Sequence, residues 1–276
     1  MRPARWSIAA RLALVAVGGI VMVLPFLYML GTSFKPHAFL FELPPRLVPE
    51  DPTTANYATA WTGNDFGRYF LNSAYVAIAT TVAVLTVSSM MAYAFARFDF
   101  VGKRLGFGVL MAGLMIPGII TIVPQFVLAT NLRLLNSLNG LVLFYTGAGV
   151  AFTTFLLRGF FERVPRALDE AMTIDGAGPV RKFLRLYLPL ARPALATAAI
   201  FSFLGAWDEF VWALTVIDNP DKRTLPIAIA AFQGQHGTEW GLVFAASTIA
   251  VIPVILVYVA GQRQFVSGLA AGAVKD

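Results

Sequence analysis

The chain has 276 residues, of which 58% are apolar and only 13% charged, and its mean hydropathy is +0.71. No water-soluble core needs so much apolar surface, so lipid must be the solvent for most of it. The net charge of +6 comes from Lys and Arg in short loops rather than on one folded face, which argues against nucleic acid, and the lack of cysteine excludes disulfides, thiolate metal sites and cysteine nucleophiles.

A helix needs roughly 20 residues to cross about 30 Å of hydrocarbon. Apolar runs of that order fall at about 12–32, 71–95, 105–128, 138–157, 193–217 and 242–262. Lipid offers no partner to backbone N–H and C=O groups, and the period-2 alternation of a barrel is absent. The predicted fold class is therefore an all-α integral membrane protein with six transmembrane helices. The first run follows Arg2, Arg5 and Arg11, but it is too long for a signal peptide and no clean small-residue cleavage site follows, so it is expected to stay as a span. With the N-terminus, the second and fourth loops and the C-terminus in the cytoplasm, fifteen of the 21 basic residues lie inside. The positive-inside rule thus predicts both termini cytoplasmic. The expected organisation is a cytoplasmic N-terminus at 1–11, a single transmembrane domain over 12–262 with a cytoplasmic loop at 159–192, and a cytoplasmic tail at 263–276.

Between the first two spans, Lys35 to Phe70 is polar and rich in proline (Pro36, Pro44, Pro45, Pro49, Pro52) and reads as an external loop. Pro25, Pro117, Pro124 and Pro253 fall inside spans, where the missing N–H and the ring clash predict bends.

The long fourth loop, Phe160 to Pro193, reads as helix, turn, helix. Pro165 suits a first helical turn, and Phe161, Val164, Leu168, Ala171 and Met172 recur along one face. Asp175 and Gly176 break that helix, Pro179 restarts a second, and Val180, Phe183, Leu184 and Tyr187 form its apolar stripe. Pro189 and Pro193 close the element, leaving an amphipathic knob shaped to dock.

Asp208 and Glu209 are expected about two thirds of the way along the fifth span, where charge is costly without water or partners. Adjacent helical residues diverge by about 100°, so the two carboxylates cannot share a face. Trp207, Phe210 and Trp212 beside them supply the aromatic faces that suit pyranose rings, as the carboxylates suit sugar hydroxyls. The competing reading makes the tryptophans an outer interface belt and the acids water-facing.

No G-x-x-x-x-G-K-[ST] phosphate loop occurs, so this chain is not expected to bind or hydrolyse ATP. His37 and His236 stand far apart without clustered carboxylates, so no metal or catalytic constellation is predicted.

The knob carries Glu170, Ala171, Gly176, Leu188 and Pro189 in register with the signature loop of binding-protein-dependent ABC importer permeases: Glu-Ala-Ala, three residues, Gly, nine residues, an apolar position, then x-Leu-Pro. Met172 replaces the second alanine and Leu186 the usual isoleucine. The segments TSFKP from Thr32, NYATAW from Asn56, RYFLNS from Arg68, WDEFVWAL from Trp207 and GLAAGAVKD from Gly268 extend the resemblance over nearly the whole chain. They narrow it to carbohydrate-type permeases similar to the second membrane subunit of maltose importers, in which asparagine is common where this chain has Asp208. The resemblance implies the type I ABC importer fold, a multi-pass protein of the bacterial cytoplasmic (inner) membrane, and ATP and Mg held on a separate ATPase. It implies as partners a second permease subunit, two ATPase subunits and an extracytoplasmic solute-binding protein. It makes the knob, with Glu170, Ala171, Asp175, Gly176, Leu188 and Pro189, the coupling helix that enters an ATPase cleft, and it sends the tail, with Gly268, Gly272 and Lys275, between the ATPase subunits. The solute stays open among disaccharides, longer oligosaccharides, amino sugars and glycerol phosphate esters. The lack of Arg or Lys near span centres favours a neutral sugar. The alternative is a secondary transporter driven by an ion gradient, with Asp208 and Glu209 as its cation sites.

Overall fold

The computed structural model describes residues 5–36, 46–234 and 237–273; His37, Pro44, Pro45, His236 and Lys275 lie outside them. In chain order the long helices are α1 (Arg5–Ser33), α3 (Phe66–Arg97) and α6 (Leu138–Glu162), with the short α2 (Ala55–Thr62), α4 (Lys103–Leu114) and α5 (Ile122–Asn131) between them. The fourth loop folds as α7 (Arg166–Ile174) and α8 (Pro179–Lys182), which runs through a π-helical turn at Phe183–Tyr187 into α9 (Leu188–Leu190). Then come α10 (Arg192–Trp207), α11 (Val211–Val216), α12 (Leu225–Ala231) and α13 (Trp240–Ala273). Two-residue antiparallel strands at Gln233–Gly234 and Gly237–Thr238 precede α13.

Among the described residues, four helices are long and apolar enough to cross a bilayer, at Arg11–Ser33, Phe66–Arg97, Leu138–Glu162 and Trp240–Gln262, and two bent pairs raise the number to as many as six. One pair, Lys103–Leu114 with Gly118–Asn131, turns by 96°; the other, Pro179–Leu190 with Arg192–Trp207, turns by 78°. The chain is thus a helical membrane protein, with three differences from the sequence expectation. The third span is broken rather than continuous over 105–128: α4 stops at Leu114, Pro117 is extended, and a 3₁₀ turn at Gly118–Thr121 restarts the chain. Pro117 cannot donate to the preceding turn and biases Ile116 away from helix, which is why the break falls there. The fifth span ends at Trp207 after 16 helical residues instead of reaching 217. The segment expected as an external loop carries α2. Pro25 and Pro253, by contrast, stay inside intact helices.

The described chain divides into two compact units, Met1–Gly67 with Ile227–Ile252, and Arg68–Pro226 with Pro253–Asp276. In the first, the Asn56 amide donates to the carbonyls of Ser33 (2.9 Å) and Lys35 (2.8 Å), and the Ser33 and Tyr57 hydroxyls lie 2.6 Å apart. The orphan carbonyls at the end of α1 thereby find partners on α2. Gly241 makes room for this clamp, since a Cβ there would lie 2.7 Å from Asn56 Nδ2. In the second unit, α3 packs on α6 through Val84 against Gly149, whose added Cβ would sit 3.0 Å from a Val84 methyl, and Ser88 Oγ donates to the Val150 carbonyl at 3.2 Å. Helix α10 meets α6 edge to face through Phe201 and Phe152, with ring centroids 6.0 Å apart.

Candidate functional site: the loop knob and the break after α10

The knob is built from its turn outward. Asp175 caps α7, the Gly176 N–H donates to the Thr173 carbonyl at 3.0 Å and the Ala177 N–H to the Met172 carbonyl at 2.9 Å. These two bonds form a Schellman closure, which needs a left-handed residue, and Gly176 supplies φ +73°. Gly178 then caps α8, with Pro179 at its first turn.

Glu170, Ala171, Asp175 and Gly176 all face outward, whereas Leu188 and Pro189 are half-buried. The expected apolar stripe of the second helix divides in two. Tyr187 is fully buried with Phe183 packed beside it, while Val180 and Leu184 point outward. With Gly178, Pro179, Arg181 and Arg185 they line an open depression of about 510 Å³. Val180 and Leu184 are four residues apart, as are Phe183 and Tyr187, so the pairs lie on neighbouring strips of the helix and only the second strip meets the core. The π turn ends next to Pro189, which has no N–H to continue the ordinary ladder.

Sequence reasoning missed the group that joins α7 to α8. The Asp169 carboxylate accepts from Lys182 Nζ at 2.8 Å and from the Tyr187 hydroxyl at 2.7 Å, and Lys182 also donates to Thr173 Oγ1 at 2.7 Å. Burial pushes the Asp169 pKa up, but the Lys182 and Tyr187 hydrogen bonds and the charges of Lys182 and Arg97 outweigh it and hold the group below its ordinary value. It is therefore ionised at neutral pH. The Tyr187 ring lies 4.8 Å from Tyr93 and 5.7 Å from Phe161, and the Arg97 guanidinium stands 5.0 Å over it. Arg97 donates to the carbonyls of Phe161 and Val164, and Tyr93 to that of Pro179 at 3.2 Å. The signal was present in the sequence: a tyrosine in an apolar stripe needs a partner for its hydroxyl.

The second candidate cluster is rearranged. Asp208 caps the end of α10 and is exposed; Glu209 and Phe210 lie between helices, so the two carboxylates are not held at the 100° divergence of adjacent helical residues. Glu209 accepts from the backbone N–H groups of Trp212 (2.7 Å) and Ala213 (3.0 Å) and from the Tyr145 hydroxyl. A carboxylate on the first orphan N–H groups of a helix is a cap, and it is what starts α11. Trp207 is buried, stacked on Phe203 (5.6 Å, 15°) and met edge-on by Phe70 (5.5 Å), while Trp212 is buried beside Phe144 at 4.9 Å. Neither indole lies at an exposed interface, and Trp207 already stacks on protein. Helix α13 carries Gly268 and Gly272 on continuous helical backbone, and Lys275 lies outside the described residues. Among the described residues, no group of three or more His, Asp or Glu could hold a metal ion.

A family model described as the binding-protein-dependent transport system inner membrane component matches residues 84–270. The chain is 38% identical over 262 residues to a diacetylchitobiose uptake system permease protein of Streptomyces coelicolor, covering 94% of this chain and 86% of that one. It is 36% identical over 251 residues to a sulfoquinovosyl glycerol transport system permease protein of Agrobacterium fabrum, covering 91% and 88%. A chain in the crystal structure of a bacterial ABC transporter involved in the import of the acidic polysaccharide alginate superposes with a TM-score of 0.83 at 22% identity, covering 96% of this chain and 98% of that one.

Proposed function

Because the chain belongs to the family of binding-protein-dependent transport system inner membrane components, we propose that it carries a sugar-like solute inward as one of two permease subunits. Two separate ATPase subunits would supply the ATP chemistry, and an extracytoplasmic binding protein would deliver the solute. The observation that carries this reading is the outward presentation of Glu170, Ala171, Asp175 and Gly176 on a closed helical turn. A knob whose Glu170, Ala171, Asp175 and Gly176 face away from the chain, with Leu188 and Pro189 half-buried at its base, is free to enter a cleft in another protein.

The substrate class rests on the sugar-derived solutes in the relatives' names. The absence of Lys and Arg from the span centres supports a neutral glycoside over an anionic one, since an anion would be met by such groups. Among the candidate pathway residues, Asp208 keeps this role best, as an exposed carboxylate at the break after α10. Glu209, Trp207 and Trp212 are engaged in capping and packing. The tail, with Gly268, Gly272 and Lys275, would reach the ATPase pair.

The test is affinity purification of the tagged chain from its native membrane in mild detergent. We expect an ATPase bearing a phosphate loop and a second permease to come with it. Recovery of the chain alone, or only with copies of itself, would overturn the reading.

A further inference from the structure

We propose that Asp169, Lys182 and Tyr187 form a latch that makes the knob one rigid body with the inner ends of α3 and α6, and that these three positioning residues carry the knob's movement into the spans. The inference rests on the functional reading above for its direction of action, but the latch itself stands on geometry alone.

Helices α7 and α8 are short, and helices of that length do not hold their relative angle by propensity. One carboxylate ties them. Asp169 is on α7, Lys182 ends α8 and Tyr187 lies one turn further on, and both carboxylate oxygens are used, one for each partner, at 2.8 and 2.7 Å. The Lys182 side chain is only 13% exposed and that of Asp169 29%, so water screens this pair far less than the open pair Arg68–Asp221. Tyr187 then hands the tie inward. Its ring is fully buried among Tyr93 and Ala92 of α3, Leu157 and Phe161 of α6 and Ala191 before α10. Arg97, the last residue of α3, covers that ring and holds the carbonyls of Phe161 and Val164, where α6 passes into the knob. A push on the outward face of α7 therefore has no slack to take up before it reaches α3 and α6. The 78° bend at Ala191 is the place left to flex on the α10 side.

The chain has no cysteine, so with partner subunits also made cysteine-free, a pair of cysteines introduced at Met90, exposed on α3, and Ala167, exposed in the first turn of α7, can carry nitroxide labels without background. The spin–spin distance distribution is measured on the full chain in its purified assembly, with and without ATP and vanadate. For the parent we expect a narrow distribution that nucleotide leaves in place. For Asp169→Asn and for Tyr187→Phe, which removes a single hydroxyl, we expect a broadening of about twofold, as for loss of a coupled hydrogen-bond network, and a shift on adding nucleotide. The exchange Asp169→Lys with Lys182→Asp should restore the narrow distribution, which a merely misfolded knob would not do. Equal widths in the parent and both single variants, or a parent distance that moves with nucleotide, would overturn the latch. An assembly without an ATPase would instead remove the functional reading, while the nucleotide-free widths would still decide the latch.

Discussion

At Gly176 two requirements meet in one residue. Its φ of +73° closes the Schellman turn, and no atom lies within 4 Å of where a Cβ would stand. A side chain there meets open space, so backbone strain and occlusion of a docked partner can be separated. Gly176→Asn, which tolerates left-handed backbone, should melt close to the parent, and Gly176→Ala should lose about 1 kcal/mol. Both should still co-purify with the ATPase, whereas Gly176→Trp should fold as Gly176→Ala does and lose it. If Gly176→Ala loses the ATPase as completely as Gly176→Trp, strain and not bulk is responsible. Asp169 shows how a residue role hides from sequence. In the linear pattern it is one more charge on the polar side of α7, and only the return of the chain through Gly176 brings Lys182 and Tyr187 onto it.

At the scale of elements, four of the segments that carry the resemblance prove to be fastenings. Asn56 of one clamps the end of α1 in another. In a third, Asn72 donates to the carbonyls of Asp221 (3.0 Å) and Arg223 (2.9 Å), and Ser73 Oγ receives the Leu225 N–H at 2.8 Å. In a fourth, Glu209 starts α11. Hydropathy made the existence of the spans legible, and glycine and proline made the knob's turn legible. Pro117 made a bend legible at Met115–Pro117, though not its full 96°, and the break at Asp208–Phe210 was not legible, because a run of apolar residues averages across an interruption of three. An acid beside an acid likewise reads as an ionic site until a nearby helix start claims one of them. The two should separate in experiment. Glu209→Gln should lower the melting stability of the purified assembly by about 1–2 kcal/mol, as for a lost charged hydrogen bond, with unchanged apparent affinity for the solute. Asp208→Asn should leave stability within about 0.5 kcal/mol and weaken that affinity. The opposite pattern would return the solute contact to Glu209.

For the molecule as a whole, the distribution of basic residues sets the orientation: fifteen of 21 lie on the N-terminus, the second and fourth loops and the C-terminus. Residues at opposite ends report on it. A cysteine replacing exposed Ile174 should react with a membrane-impermeant maleimide only after cells are permeabilised, and one replacing exposed Lys222 should react in intact spheroplasts. The reverse result would invert the orientation and remove the knob from the side where ATP is available. Helix α10 adds a constraint of a different kind. Its 16 residues span about 24 Å at 1.5 Å each, short of the hydrocarbon thickness of about 30 Å. A nascent chain offers the insertion machinery in this segment a weak signal, led by Arg192 and followed by two acids. In the folded chain the α6 residue Phe152 meets Phe201 edge to face, so the α6 face is expected to act as a template for entry of α10 into the bilayer. A Phe152→Ala variant should then show, in a protease-protection assay of newly made chains, a larger fraction with α10 not integrated; an unchanged fraction would remove that role.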